Sequence, residues 1–201
     1  NATGRLESAS ISVELLLCEE ENRAKELAKT LFDLNKKRQE MTTENVEEVI
    51  ELIHNSTFKN DKVLVIYKDT IHESIAGIVA GRVRETFNVP TIILTKGKET
   101  PKGSARSIKE YNLFEELIKC KELLEKFGGH PMAAGLSIKE ENIEKLRQKL
   151  NLICTLTDED IKPKIRIDQR MPLGKISYEM INELEQLEPR SEEHTSELQS
   201  P

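Results

Sequence analysis

The sequence predicts an α/β fold, a long connector helix followed by a small mixed α/β domain, on three observations. First, "VLVIY" (residues 63–67) and "TIILT" (residues 91–95) are continuous apolar, β-branched runs with the composition of buried strands. Second, "HESIAGIVAGRVRETF" between them places Ile75, Ile78, Val79 and Val83 at helical spacing. Strand, helix and strand then read as a βαβ unit with parallel pairing. Third, Ala24, Leu27, Ala28, Leu31, Leu34 and Met41 keep spacings of three, four and seven ahead of that unit, and Val46, Val49, Ile50 and Ile53 resume the stripe.

Taken in order, residues 1–5 ("NATGR") form a small-residue turn ending in Arg5, before a helix-like "SISVELLL". Residues 20–54 are one long helix with a break at "TTEN", or two helices in line, with a densely charged solvated face. Valine and proline at 89 and 90 lead into the second strand. "GSARS" (residues 103–107) is a short loop or strand, residues 113 to about 126 a helix, "AAGLSI" a further strand, and residues 139–152 a closing helix. After "TLTDEDIKPK", Ile165, Ile167 and Met171 alternate as in a strand, and a helix begins near Ser177. The last stretch, "RSEEHTSELQSP", has no apolar periodicity.

Composition narrows the function classes. No apolar run approaches the ~20 residues that span a bilayer. Cys18, Cys120 and Cys154 are odd in number and far apart, which fits neither a disulfide framework nor a zinc site and suits a reducing, cytoplasmic setting. The net charge is −6, but it is unevenly spread. Residues 59–150 hold 17 basic and 13 acidic groups, while residues 1–58 hold 7 and 12 and residues 151–201 hold 6 and 11. The middle is the basic portion, so an anionic ligand meets no repulsive field there.

That middle also contains "KFGGHPMAAGLSI". One of Gly128 and Gly129 is explained as a left-handed helix stop. The second lets backbone approach a ligand and frees amide donors for an anion, beside His130 as a further donor. A helix stop with a satisfied histidine stands as the alternative. In "GSARS", Gly103 starts a stretch in which Ser104, Arg106 and Ser107 supply two hydroxyls and a guanidinium, donors suited to phosphate. His72-Glu73 lacks a second histidine four residues on, so a helix-start role is preferred to a metal pair. No clustered Asp and His of a two-metal phosphodiester site, no phosphate-binding G-x-x-x-x-G-K-[ST] loop and no G-x-S-x-G elbow occur.

Together, "NATGR", the charged helix, "HESIAGIVAGRV", "GSARS", "GGHPMAAGLSI" and "IKPKIRIDQRMPLGKISYEMINELEQLEP" resemble the RecJ exonucleases of the DHH phosphoesterase family over about residues 1–189. The resemblance implies the edge of a DHH catalytic domain at 1–19, a connector at 20–58, a DHH-associated substrate-binding domain at 59–152 and the start of a truncated OB-fold domain at 153–189. It implies 5′-to-3′ hydrolysis of single-stranded DNA in recombination and repair, using Mn2+ or Mg2+ bound by residues upstream of Asn1. This stretch itself is then expected to bind no metal and to be inactive. Arg5, Ser104 and Arg106 are expected to hold the 5′ phosphate, with Gly103 in the same motif. Gly128, Gly129 and His130 are expected to contact the substrate backbone. Single-stranded DNA is the implied partner, with a helicase or single-strand-binding protein as further ones, and no membrane.

Ser74, Gly81 and Ala105 are mild departures from the family pattern. The run after Pro189 is a serious one, and residues 190–201 are expected to be an artefactual or disordered tail. About thirty residues cannot close a five-stranded barrel, so residues beyond 160 are expected to pack poorly. Two other readings are a DHH oligoribonuclease or cyclic-dinucleotide phosphoesterase, and a stand-alone nucleic-acid-binding module like that appended to alanyl-tRNA synthetases.

Overall fold

The computed structural model describes residues 3–164, 167 and 170–186, and the chain divides into two units, residues 1–163 and 164–201. The first unit begins with two short helices, α1 (Thr3–Leu6) and α2 (Ser10–Leu17), followed by α3 (Glu21–His54). At 34 residues α3 is roughly 50 Å long, and it is unbroken. The break expected at "TTEN" does not occur because its polar side chains bond back along the helix. Thr42 Oγ1 donates to the Arg38 carbonyl at 2.8 Å, and Asn45 Nδ2 to the Met41 carbonyl at 2.7 Å. Leu27, Thr42, Val49 and Ile53 are its buried stripe.

Five strands follow, in sheet order β1-β2-β3-β5-β4. They are β1 (Leu64–Tyr67), β2 (Thr91–Thr95), β3 (Lys102–Arg106), β4 (Leu124–His130) and β5 (Ala133–Ile138). Between β1 and β2 runs α4 (Ala76–Phe87), and β1 and β2 pair in parallel, as the βαβ pattern requires. The α4 helix ends at Asn88, held left-handed at φ 51°, whose Nδ2 donates to the Ile161 carbonyl at 2.7 Å. The other pairings are antiparallel.

The expected helix over 113–126 is overturned. Only α5 (Leu113–Ile118) is helical, a 3-10 turn covers Lys121–Leu123, and "LEKFGGH" is strand β4. A bulge explains the misreading. Leu124 pairs with Ile138 and Lys126 with Ser137, so Glu125 is an extra residue. The bulge turns Leu124 and Phe127, three apart, onto the same core, and that spacing imitates a helix.

Two apolar layers sandwich the β1 side of the sheet. On one face Leu64, Ile66 and Ile93 pack with Ile75, Val79 and Val83 around α4 and with Val49 and Ile53 of α3. On the other, Val65, Ile92, Leu94, Ala105, Leu136 and Ile138 pack with α5 and with Leu146 and Leu150 of α6 (Ile143–Ile153). Asn151 of α6 ties this helix to the start of β1. Its Oδ1 accepts from the Lys62 and Val63 amides at 2.8 and 3.1 Å, and its Nδ2 donates to the Val63 carbonyl at 2.8 Å. Arg147 grips Asp61 with two donors at 2.5 and 3.2 Å and lies 4.3 Å above the Phe58 ring. The cysteines are free thiols, and burial pushes those of Cys120 and Cys154 up.

In the second unit, a 3-10 turn at Leu173–Lys175 precedes α7 (Tyr178–Glu185), whose first turn is capped by the Ser177 hydroxyl. Ile167, Met171, Leu173, Ile176 and Tyr178 are exposed, and 167 and 170–172 are not strand. Ile165 and the run 190–201 lie outside the described residues.

Two buried polar atoms, the Tyr111 hydroxyl and Glu116 Oε2, have no hydrogen-bond partner among the described residues. Burial, with Glu116 adding, pushes the pKa of Tyr111 up. A raised pKa contributes stability that is complete below the ordinary tyrosine value of 10.0 and is lost as pH rises above it. Tyr111→Phe is therefore expected to stabilise the chain by about 1 kcal/mol at neutral pH and to blunt its alkaline destabilisation. Thermal melts of both proteins between neutrality and pH 11 check this; a destabilised variant at neutral pH refutes it.

Candidate nucleic-acid interface

Strand register assembles the site. Side chains alternate across the sheet, so Lys102, Ser104 and Arg106 of β3 share a face with Ala133, Gly135 and Ser137 of β5 and Lys126, Gly128 and His130 of β4. Helix α4 packs over β2 and β3 on this face. Beyond it no helix of the described residues covers the sheet, and Gly135, Gly128, His130 and Lys126 are exposed. Two "motifs" far apart in sequence thus form ordered rows: Ser104, Gly135 and Gly128 in one, Arg106, Ala133 and His130 in the next.

The half-buried Arg106 guanidinium lies at the boundary between the covered and bare parts. Gly77 of α4 makes room for it, since a Cβ there would stand 2.9 Å from Arg106 Nη2 and 3.5 Å from Ser104 Oγ. Arg106 Nη1 donates to the Ala105 carbonyl at 2.9 Å, and no carboxylate pairs with it among the described residues. Burial holds its pKa below the ordinary arginine value, and the charges of Arg5 and Arg84 depress it further. Arg5 reaches this place by donating from Nη1 to the Ser74 carbonyl, at 2.6 Å, just before α4. The Arg5, Arg84 and Arg106 guanidiniums thus gather near the Ser104 hydroxyl; Arg84 is paired with Glu85 at 2.8 Å, and donors of this kind suit an anion.

The expected site residues divide by face. Arg5, Ser104 and Arg106 are brought together, and Gly128 and His130 lie along the same surface. Gly103 and Gly129 have packing reasons instead. A Cβ on Gly103 would meet Leu94 Cδ2 at 2.8 Å and Leu136 Cγ at 3.1 Å. Gly129 has φ +154°, and a Cβ there would lie 2.3 Å from the Ala133 carbonyl oxygen and 2.6 Å from Ala134 Cα. The helix-stop reading of the glycine pair is corrected: both lie in strand, Gly129 is required by the β4–β5 hairpin, and Gly128 has nothing within 4 Å of its missing Cβ. Gly128 is the glycine that keeps the open surface low.

Sequence reading missed Arg84 and Gly77. They lie seven residues apart on one face of α4, and that spacing was the available signal. His72 and Glu73 precede α4 rather than starting it. His72 Nδ1 is 2.7 Å from Ser74 Oγ, and Glu73 pairs with Lys102 Nζ at 2.7 Å. Glu73 and Lys102 line a cleft of about 280 Å³ bounded also by Ala76, Thr95, Ser104 and Gly135, among others. No group of three or more His, Cys, Asp or Glu able to hold a metal ion occurs among the described residues.

With fold and site in view, the class is clear: residues 60–155 match the DHHA1 domain, and the chain carries one. Over nearly its whole length it is related to RecJ exonucleases. It is 40% identical over 193 residues to the single-stranded-DNA-specific exonuclease RecJ of Bacillus subtilis, covering 94% of this chain and 24% of that protein. It is 34% identical to RecJ of Escherichia coli, covering 93% of this chain and 33% of that protein. The crystal structure of Thermus thermophilus RecJ in complex with Mg2+ superposes with a TM-score of 0.68 at 27% identity, over 76% of this chain and 23% of that one. The chain therefore spans about a quarter to a third of the length of these relatives.

Two substitutions separate packing from surface. Gly129→Ala is expected to unfold or strongly destabilise the chain, because the collision is with backbone. Gly128→Ala is expected to leave the melting temperature unchanged within about 1 °C and to act on binding alone. Equal melting losses in the two variants would refute the distinction. Arg106→Met is expected to raise the melting temperature by about 2 °C, since it removes a half-buried cation that two like charges repel; a lowered value refutes it.

Proposed function

We propose that this chain is the substrate-binding portion of a RecJ-type exonuclease that degrades single-stranded DNA from its 5′ end in recombination and repair. In this reading Arg5, Ser104 and Arg106 hold the terminal 5′ phosphate. Gly128 and His130 admit and contact the backbone of the strand near the scissile bond, with Gly103 and Gly129 holding the strands that present them. The single observation that carries the reading is the half-buried, carboxylate-free Arg106 beside Arg5 and Ser104, at the edge of an open, glycine-floored sheet face.

The chemistry is consistent with that division. A phosphate ester needs charge-assisted donors on its non-bridging oxygens while the strand enters over a surface without tall side chains. Such a donor set is cationic and neutral, and it does not fit a divalent cation. The relatives' crystal structures contain Mg2+ or manganese. In the proposed enzyme Mn2+ or Mg2+ is held by residues upstream of Asn1, so this chain alone binds DNA without cleaving it. The 5′-labelled strand is expected to survive incubation with this chain and Mn2+. A cytoplasmic setting and a helicase or single-strand-binding protein as partner belong to the same proposal. The likeness to RecJ proteins covers 94% of this chain, well beyond the DHHA1 domain at residues 60–155, which favours this reading over a shorter DHH phosphoesterase or a stand-alone binding module.

Fluorescence anisotropy with 5′-phosphorylated and 5′-hydroxyl oligonucleotides tests the assignment. Arg106→Ala is expected to weaken binding of the phosphorylated strand about tenfold and of the hydroxyl form less than twofold, as loss of a charge-assisted contact implies. Equal losses for both strands would remove the 5′-phosphate role.

A further inference from the structure

The two rows already described continue into a third. Lys102 of β3 pairs in register with Ser137 of β5, and Ser137 with Lys126 of β4. This row lies two residues beyond Ser104, Gly135 and Gly128, or roughly 6.8 Å along the strands, a step of the same order as one nucleotide of an extended chain. The two lysines sit two strands apart, about 9.5 Å between backbones, with the small Ser137 side chain in the gap. Both lysines are exposed, on the face that, among the described residues, α4 covers no further than β3. Lys126 forms no ion pair among the described residues, while Phe127 beside it packs into the core on the opposite face. Lys102 is held by Glu73 at 2.7 Å, and both groups stand at the rim of the cleft that reaches Ser104.

We propose that Lys102, Ser137 and Lys126 form a second phosphate subsite for single-stranded nucleic acid, one nucleotide along from the Ser104–Gly128 row, with Glu73 as the counter-charge that a phosphate displaces from Lys102. This rests on the reading of Arg106 as a phosphate site and extends it into a track running along β3 and β4. Two lysines flanking a hydroxyl receive a phosphate between them, with Ser137 as a neutral donor from below. An edge lysine also blunts a sheet against unwanted pairing, and Lys126 on the edge strand β4 would do only that if no strand passes over it.

The test uses the 201-residue chain, a labelled 5′-phosphorylated oligodeoxythymidylate, and thymidine 5′-monophosphate as a competitor too short to reach the third row. Lys126→Ala is expected to weaken oligonucleotide binding about fivefold, to lower the slope of log K against log salt by about 0.7, and to leave competition by the mononucleotide unchanged. An unchanged oligonucleotide affinity leaves Lys126 as an edge guard and overturns the subsite; so does an equal loss for the mononucleotide. Glu73→Gln is expected to tighten oligonucleotide binding about threefold in the parent chain and not at all with Lys102→Ala. A gain of equal size in both backgrounds overturns the counter-charge role. Arg106→Ala in the same assay keeps the two proposals apart. If it is silent the 5′-phosphate reading fails, whereas a loss there with silent lysines overturns the subsite alone.

Discussion

Everything at the interface depends on the approach of helix α4 to strand β3 at Gly77. A methyl group there would press on the Arg106 guanidinium. Because there is none, the guanidinium is half-buried between helix and sheet, with no carboxylate paired to it among the described residues and with Arg5 and Arg84 close enough to depress its proton affinity. A charge kept partly dry and unpaired costs stability unless an anion arrives, so the arrangement stores affinity for one. The energetic logic is that of a binding site, where local cost is tolerated because a ligand removes it.

The same helix sets the boundary of the open surface. It covers β2 and β3 but goes no further, and the outer strands β5 and β4 present glycine, alanine, serine, lysine and histidine on that side. Their opposite side is apolar, with Ala134, Leu136 and Ile138 buried against α5 and α6. A strand pair with one greasy and one bare face is stable because period-two alternation fixes the register. A one-residue slip would bury Lys126 and expose Leu136. The rows on the open face are therefore as firmly positioned as the core behind them, and the bulge at Glu125 adds the local adjustment that keeps Leu124 in that core.

Relationship to RecJ proteins and the geometry of the site bear on each other. The match to relatives runs along nearly the whole chain, yet those relatives are three to four times longer. The described residues supply cationic and neutral donors. That is the complement that the proposed phosphate-binding role calls for. The charge distribution accords with the proposal, since residues 59–150 are the basic portion of the sequence.

The sequence by itself determined the elements whose periodicity has one solution. The runs 63–67 and 91–95 are too short and too β-branched for anything but buried strands, and the stripe between them closed a right-sized crossover. It also pointed to Arg5, Ser104, Arg106 and the glycine-histidine run as the proposed phosphate-binding residues, since their residue types and order resemble one family. Tertiary structure decided what local spacing cannot express. Leu124 and Phe127, three apart, read as helix until the bulge shows how a strand turns both inward. Gly128 and Gly129 are indistinguishable in a string, yet one faces open space and the other an adjacent backbone, because alternation sends their missing side chains to opposite faces. The gathering of Arg106 with Gly77, Arg84 and Arg5 joins residues up to a hundred positions apart, and only the packing of α4 on β3 brings them together.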